Sequence, residues 1–119
     1  MSEASVAKKA EKLGLGKLSH HIFICCDQSN AKCCKISEGL ESWNYLKRRI
    51  VELGLDTGKK VVFRTKANCL RICQEGPVAV VYPEGIWYSG CTPEVIERIL
   101  QEHILNDSVV EEFVLGKSF

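Results

Sequence analysis

Seven cysteines in 119 residues, four of them in the adjacent pairs Cys25-Cys26 and Cys33-Cys34, constrain this chain more than any other feature. Their number is odd. The opening MSEASVAKKAEKLGLGKLSH is polar and charged, without the continuous apolar stretch of a secretion signal. A cytoplasmic setting is therefore expected, and in a reducing compartment such thiols bind metal or do redox chemistry more often than they build a disulfide framework. Three groups stand out: Cys25-Cys26, Cys33-Cys34 and Cys69-x-x-x-Cys73, with Cys91 apart. Four thiolates suit zinc, and they equally suit the soft bonding of iron and bridging sulfide. Thiol–disulfide enzymes usually need Cys-x-x-Cys at a helix start, and this sequence has none. Spacing alone thus favours a cysteine-ligated metal. A structural zinc module or a thiol-redox module remains the alternative to an iron–sulfur protein.

The rest of the composition excludes more than it proposes. A net charge of +1, and nine aromatics (Phe 4, Trp 2, Tyr 3) not interleaved with basic residues, argue against nucleic acid as a partner. No apolar run approaches the length of a membrane span.

Periodicity orders the chain as β-α-β-β-β-α. Residues 20–26, HHIFICC, read as a buried strand ending in the first cysteine pair, and residues 27–35 as a polar loop. Residues 37–54 read as a helix capped by Ser37. Leu40, Trp43, Leu46, Ile50 and Leu53 form its apolar stripe, and Gly54 is its stop. Strands follow at 60–65, 77–82 and 86–89, the last two as an antiparallel hairpin around Pro83-Glu84-Gly85. A second helix spans 93–105, with Thr92 as N-cap, Pro93 in the first turn and Val95, Ile96, Ile99, Leu100 and Ile104 inward. The expected fold class is α/β: a mixed four-stranded sheet with two main helices, resembling the thioredoxin fold. The chain divides into an N-terminal extension (1–19), one domain (20–105) and a C-terminal tail (106–119). The VVEEFVL of that tail could pair with something, a second subunit included.

With those residues in view, the sequence resembles the thioredoxin-like [2Fe–2S] ferredoxins. HIFIC (21–25) is similar to the family's opening strand and first ligand. ANCLRICQEGPVAVVYPEGIWYSG (67–90) is similar throughout, and TPEVIERILQEHI (92–104) resembles the closing helix. The resemblance implies an electron carrier rather than an enzyme, freestanding or as a relay subunit of an oxidoreductase. It further implies one [2Fe–2S] cluster, redox proteins as partners and a homodimer. It implies Cys25, Cys69 and Cys73 as cluster ligands. Cys34 is assigned as the fourth because an ungapped match of the following helix, through Trp43 and Ile50, puts it in register with the family's second ligand. Cys33 remains its competitor. The loop between the first two ligands is shorter than in well-known members, and the doubled cysteines are not general in the family.

Around such an anionic centre, the loop amides near Lys32, Lys35, Asn68, Leu70 and Arg71 are candidate hydrogen-bond donors. Lys66 and Arg71 flank the third ligand, where a solvated loop face is the simpler reading of their charge. Leu70 and Ile72 are read as packing residues. Cys26 should face away from Cys25 into the core, and Cys91 is read as a buried small residue or an uncommitted thiol. His20, His21 and His103 lack cysteines at a suitable spacing and are expected to play ordinary surface or core roles.

Overall fold

Ile22 and Ile24 are buried while His21 and Phe23 between them are half-exposed, and this period of two decides which face of the sheet becomes core. The computed structural model describes residues 3–25, 36–57, 60–67 and 77–118. Helix α1 (Glu3–Lys12) precedes strand β1 (Leu18–Cys25), helix α2 (Ile36–Glu52) and strand β2 (Val61–Ala67). Strands β3 (Ala79–Tyr82) and β4 (Ile86–Tyr88) follow, then helix α3 (Pro93–Arg98), which continues in wider π turns over Ile99–Ile104. Strand β5 (Val114–Lys117) closes the chain.

The sheet order is β2-β1-β3-β4-β5. Strand β1 runs parallel to β2 and antiparallel to β3, so the β1-α2-β2 unit carries the crossover that parallel neighbours require. Strands β3 and β4 form the expected hairpin, turning through a cis Tyr82-Pro83 bond and Gly85, whose N–H donates to Val81 O at 2.8 Å.

The core gathers Ile22 and Ile24 of β1, Ala79 and Val81 of β3, and Ile86 and Tyr88 of β4 against both helices. Leu46 and Ile50 of α2 meet them, as do Val95, Ile96, Ile99, Leu100 and Ile104 of the α3 segment. These are the stripes that the helical period predicts. Leu46 has no exposed surface, and truncating such a side chain to Ala costs about 2–5 kcal/mol. A buttress ties the helices outside the core: Arg49 of α2 grips Glu97 of α3 with Nε–Oε1 at 2.7 Å and Nη2–Oε2 at 3.0 Å.

Helix α2 ends where glycine lets it. Gly54 takes a φ of 69°, its N–H donates to Val51 O at 3.0 Å, and Leu55 N–H donates to Ile50 O at 2.8 Å. That pair of bonds satisfies the last carbonyls and turns the chain toward β2. Gly14, at φ 82°, serves close approach instead, since a Cβ there would lie 2.9 Å from Val61 Cγ2.

Two expectations are corrected. The sheet has five strands, not four, because β5 pairs with β4 through Tyr88–Val114, Trp87–Gly116 and Ile86–Lys117. The tail thus finds its partner within the chain and covers the edge that β4 would otherwise present, satisfying a row of backbone groups. Helix α2 begins at Ile36, so Ser37 lies inside its first turn rather than at the cap. Thr92, by contrast, does cap α3, its side chain accepting from Val95 N–H with Pro93 beginning the helix.

Candidate metal centre

Cys25 is the last residue of β1 and is 1% exposed. Two neighbours hold it. On the β2 side it is in register with Ala67. On the β3 side its N–H donates to Val78 O at 3.0 Å, and Val78 N–H returns a bond to Cys25 Sγ, also at 3.0 Å. A backbone N–H aimed at sulfur offsets negative charge there, so the position suits a thiolate and therefore a metal ligand.

Chain connectivity sharpens the point. Residues 68–76, which carry Cys69 and Cys73, leave from Ala67 beside Cys25 and return at Pro77-Val78 on its other side. Residues 26–35, which carry Cys26, Cys33 and Cys34, leave from Cys25 itself and return at the start of α2. The parallel pairing of β1 and β2 thus starts both cysteine-bearing segments at one end of the sheet. Cys34, Cys69 and Cys73 lie outside the described residues, as do Cys26 and Cys33. So do Lys32, Lys35, Asn68, Leu70, Arg71 and Ile72. The donor that the structure does reveal, Val78 N–H, was not among those anticipated. Only the antiparallel pairing of β1 with the chain entering β3 brings it to the sulfur.

Cys91 is fully buried in the core, as expected of a small hydrophobe. Its N–H donates to Pro77 O at 2.8 Å and its Sγ to Tyr88 O at 3.6 Å. Burial pushes this thiol well above its ordinary value, and the neighbouring Cys25 pushes it the same way. A thiol so disfavoured as thiolate belongs to packing, and its backbone bond to Pro77 steadies the return of the chain toward Cys25.

Lys66 is exposed on β2, away from the core. Trp87 is half-buried and its Nε1–H donates to Ser118 Oγ at 2.6 Å, while Tyr88, the next residue, lies wholly in the core. Among the described residues, no helix is long and apolar enough to cross a membrane.

A mixed sheet with a parallel βαβ unit, a following hairpin and both main helices packed into one core, with a buried cysteine at the end of the first strand, defines a thioredoxin-like protein. No protein-family model matches the chain. A [2Fe–2S] ferredoxin of Clostridium pasteurianum is 32% identical over 99 residues, covering 77% of this chain and 91% of that protein. A [2Fe–2S] ferredoxin of Aquifex aeolicus is 40% identical over 53 residues, 44% of this chain and 48% of that one. The solved structure of a thioredoxin-like [2Fe–2S] ferredoxin from Aquifex aeolicus superposes with a TM-score of 0.68 at 26% identity, covering 82% of this chain and 97% of that chain. The chain belongs to the thioredoxin-like [2Fe–2S] ferredoxins, and its cofactor is a [2Fe–2S] cluster.

Proposed function

We propose that this protein is an electron carrier whose [2Fe–2S] cluster is ligated by Cys25, Cys34, Cys69 and Cys73. The observation that carries the proposal is the anchoring of Cys25. Its strand neighbour Ala67 and its hydrogen-bond partner Val78 are the two ends of the segment bearing Cys69 and Cys73. The group supplies one-electron redox chemistry when bound. The chain supplies rigidity and electrostatics. Cys25 is held on both sides by the sheet, and the Val78 N–H that it accepts favours added negative charge on the sulfur. No acid–base group is needed for such a task, and redox proteins serve as donor and acceptor in a cytoplasmic setting.

The same reading includes a homodimer. The face of the sheet opposite the core carries His21, Phe23, Phe63, Tyr82 and Trp87, all half-buried. Their rings are already ordered against one another, with His21 stacked on Phe23 at 4.2 Å and Phe23 edge-on to Tyr82 at 6.0 Å. A second copy would cover this aromatic surface and gain the apolar burial that the monomer leaves unrealised.

The deciding experiment is a visible absorption spectrum of anaerobically purified protein, followed by EPR after dithionite reduction. Broad visible bands that bleach on reduction, with a rhombic S = 1/2 signal, are expected. Protein that stays colourless after reconstitution with iron and sulfide would overturn the proposal.

A further inference from the structure

At the opposite end of β1 from Cys25, three side chains from three separate elements converge. His20 comes from β1, Glu84 from the β3–β4 turn and His103 from the π turns that extend α3. Glu84 Oε1 lies 3.2 Å from His20 Nε2 and 2.8 Å from His103 Nε2. One ligand atom from each residue falls within 4.8 Å of the other two. The imidazole rings are 5% and 3% exposed as side chains, and the Glu84 side chain, at 39%, reaches solvent.

These distances suit a small cation as well as they suit hydrogen bonds. Zinc binds imidazole nitrogen and carboxylate oxygen at about 2.0–2.1 Å, which in a tetrahedron separates ligand atoms by roughly 3.3 Å. The far nitrogens are oriented too. His20 Nδ1 lies 3.0 Å from Ser19 Oγ, and His103 Nδ1 lies 2.7 Å from Tyr88 Oη. Metal-bound histidines characteristically give their second N–H to such an oxygen. A shallow cavity of about 200 Å³, lined by Leu18, Ser19, His20, His21, Tyr82 and Pro83, includes one of the three residues, and the partly exposed Glu84 carboxylate opens the group to solvent.

We propose that His20, Glu84 and His103 form a second metal site, specific for a divalent transition ion of the zinc type and separate from the cluster. Both imidazoles ligate through Nε2, Glu84 supplies an oxygen, and water takes the remaining position. Two imidazoles exclude magnesium and calcium, which prefer all-oxygen shells. On binding, each neutral ring keeps one proton and carries it on Nδ1. Ser19 Oγ and Tyr88 Oη accept those N–H groups, and the Ser19 hydroxyl is left to donate to Val61 O at 3.3 Å. The ion would pin the start of β1, the β3–β4 turn and the end of the last helix together.

The test uses the cluster-loaded protein, with zinc alone as the probe, in equilibrium dialysis against a competing chelator. Wild type is compared with His20→Gln and Glu84→Gln, and the visible spectrum of the cluster is followed throughout. Wild type is expected to bind one equivalent more than either variant, with affinity at this site falling at least about 100-fold in each. Zinc should also move the imidazole NMR signals of His20 and His103 in wild type while the cluster spectrum stays unchanged. Equal stoichiometry in all three proteins would mean that thiols hold the zinc, and would overturn the site. So would the absence of any zinc-dependent shift at the two imidazoles, which needs no variant to observe and would leave a hydrogen-bonded network only.

Discussion

Cys25 and Val78 hold each other twice, by Cys25 N–H to Val78 O and by Val78 N–H to Cys25 Sγ, each at 3.0 Å. The first bond is ordinary sheet pairing. The second turns the end of a strand into a seat for a charged sulfur, because the donor is part of the backbone and cannot rotate away. The pairing of β1 with the chain that enters β3 therefore favours negative charge on this sulfur.

Cys25→Ala should abolish the cluster. It also leaves the Val78 N–H, beside a side chain with no exposed surface, without its sulfur acceptor, at a cost of about 1–3 kcal/mol. Cys91→Ala should keep the cluster, since that thiol packs in the core and donates to Tyr88 O. Iron and acid-labile sulfide analysis of the two purified variants distinguishes them, and cluster loss in both would contradict the packing role of Cys91.

Within the Cys33-Cys34 pair, Cys34→Ala should strip the cluster and Cys33→Ala should leave it. Visible absorbance per protein is the readout. The reverse pattern would transfer the ligand to Cys33.

Phe23→Glu should convert a dimer to a monomer with the cluster intact. Phe23 stands between His21 and Tyr82 on the half-exposed aromatic face, where a carboxylate opposite its own copy cannot be buried without a partner charge. Sedimentation equilibrium should show the mass halve. Wild-type protein that is already monomeric at micromolar concentration would dismiss the interface.

Acid should loosen the clasp between the helices. The Arg49 guanidinium, bonded to Glu97, holds that carboxyl down at about 2, with Gln101 and Tyr45 also donating to it. A carboxylate depressed on folding contributes fully above its ordinary value of 4.5 and loses that contribution as pH falls toward about 2. Glu97→Gln should therefore cost roughly 1 kcal/mol at neutral pH, and the difference from wild type should close on acidification. Urea unfolding of both proteins across that range checks it; a gap that stays constant would assign the loss to packing.

Tyr88→Phe should destabilise by about 1–3 kcal/mol although the ring still fills its space. The hydroxyl accepts from Val110 N–H at 3.2 Å and bonds His103 Nδ1 at 2.7 Å, and all three residues are buried. Thermal unfolding is the measurement, and an unchanged midpoint would show that water replaces the hydroxyl.

Much of this protein could be read along the chain because its signals are local. The period of two in HIFIC, the stripe from Leu40 to Leu53, the glycine stop at Gly54 and the Thr92-Pro93 start each depend on neighbours a few residues away. What escaped that reading involves partners far apart. Strand β5 is short and irregular in pattern, and exists because β4 offers it an edge. His103 looked ordinary on its helix. It becomes notable only where the β3–β4 turn and the start of β1 meet it.

The sequence by itself determined the order of the central β-α-β-β-β-α elements, the main core stripes and the presence of enough cysteine thiols for a cluster, since hydrophobic period and residue chemistry are properties of the chain. Only the tertiary structure decided that the Val78 amide faces Cys25 Sγ, that the tail closes the sheet, and that His20, Glu84 and His103 share one point. Each of these joins residues separated by many positions, and their meeting depends on sheet register and helix packing, which no local pattern encodes.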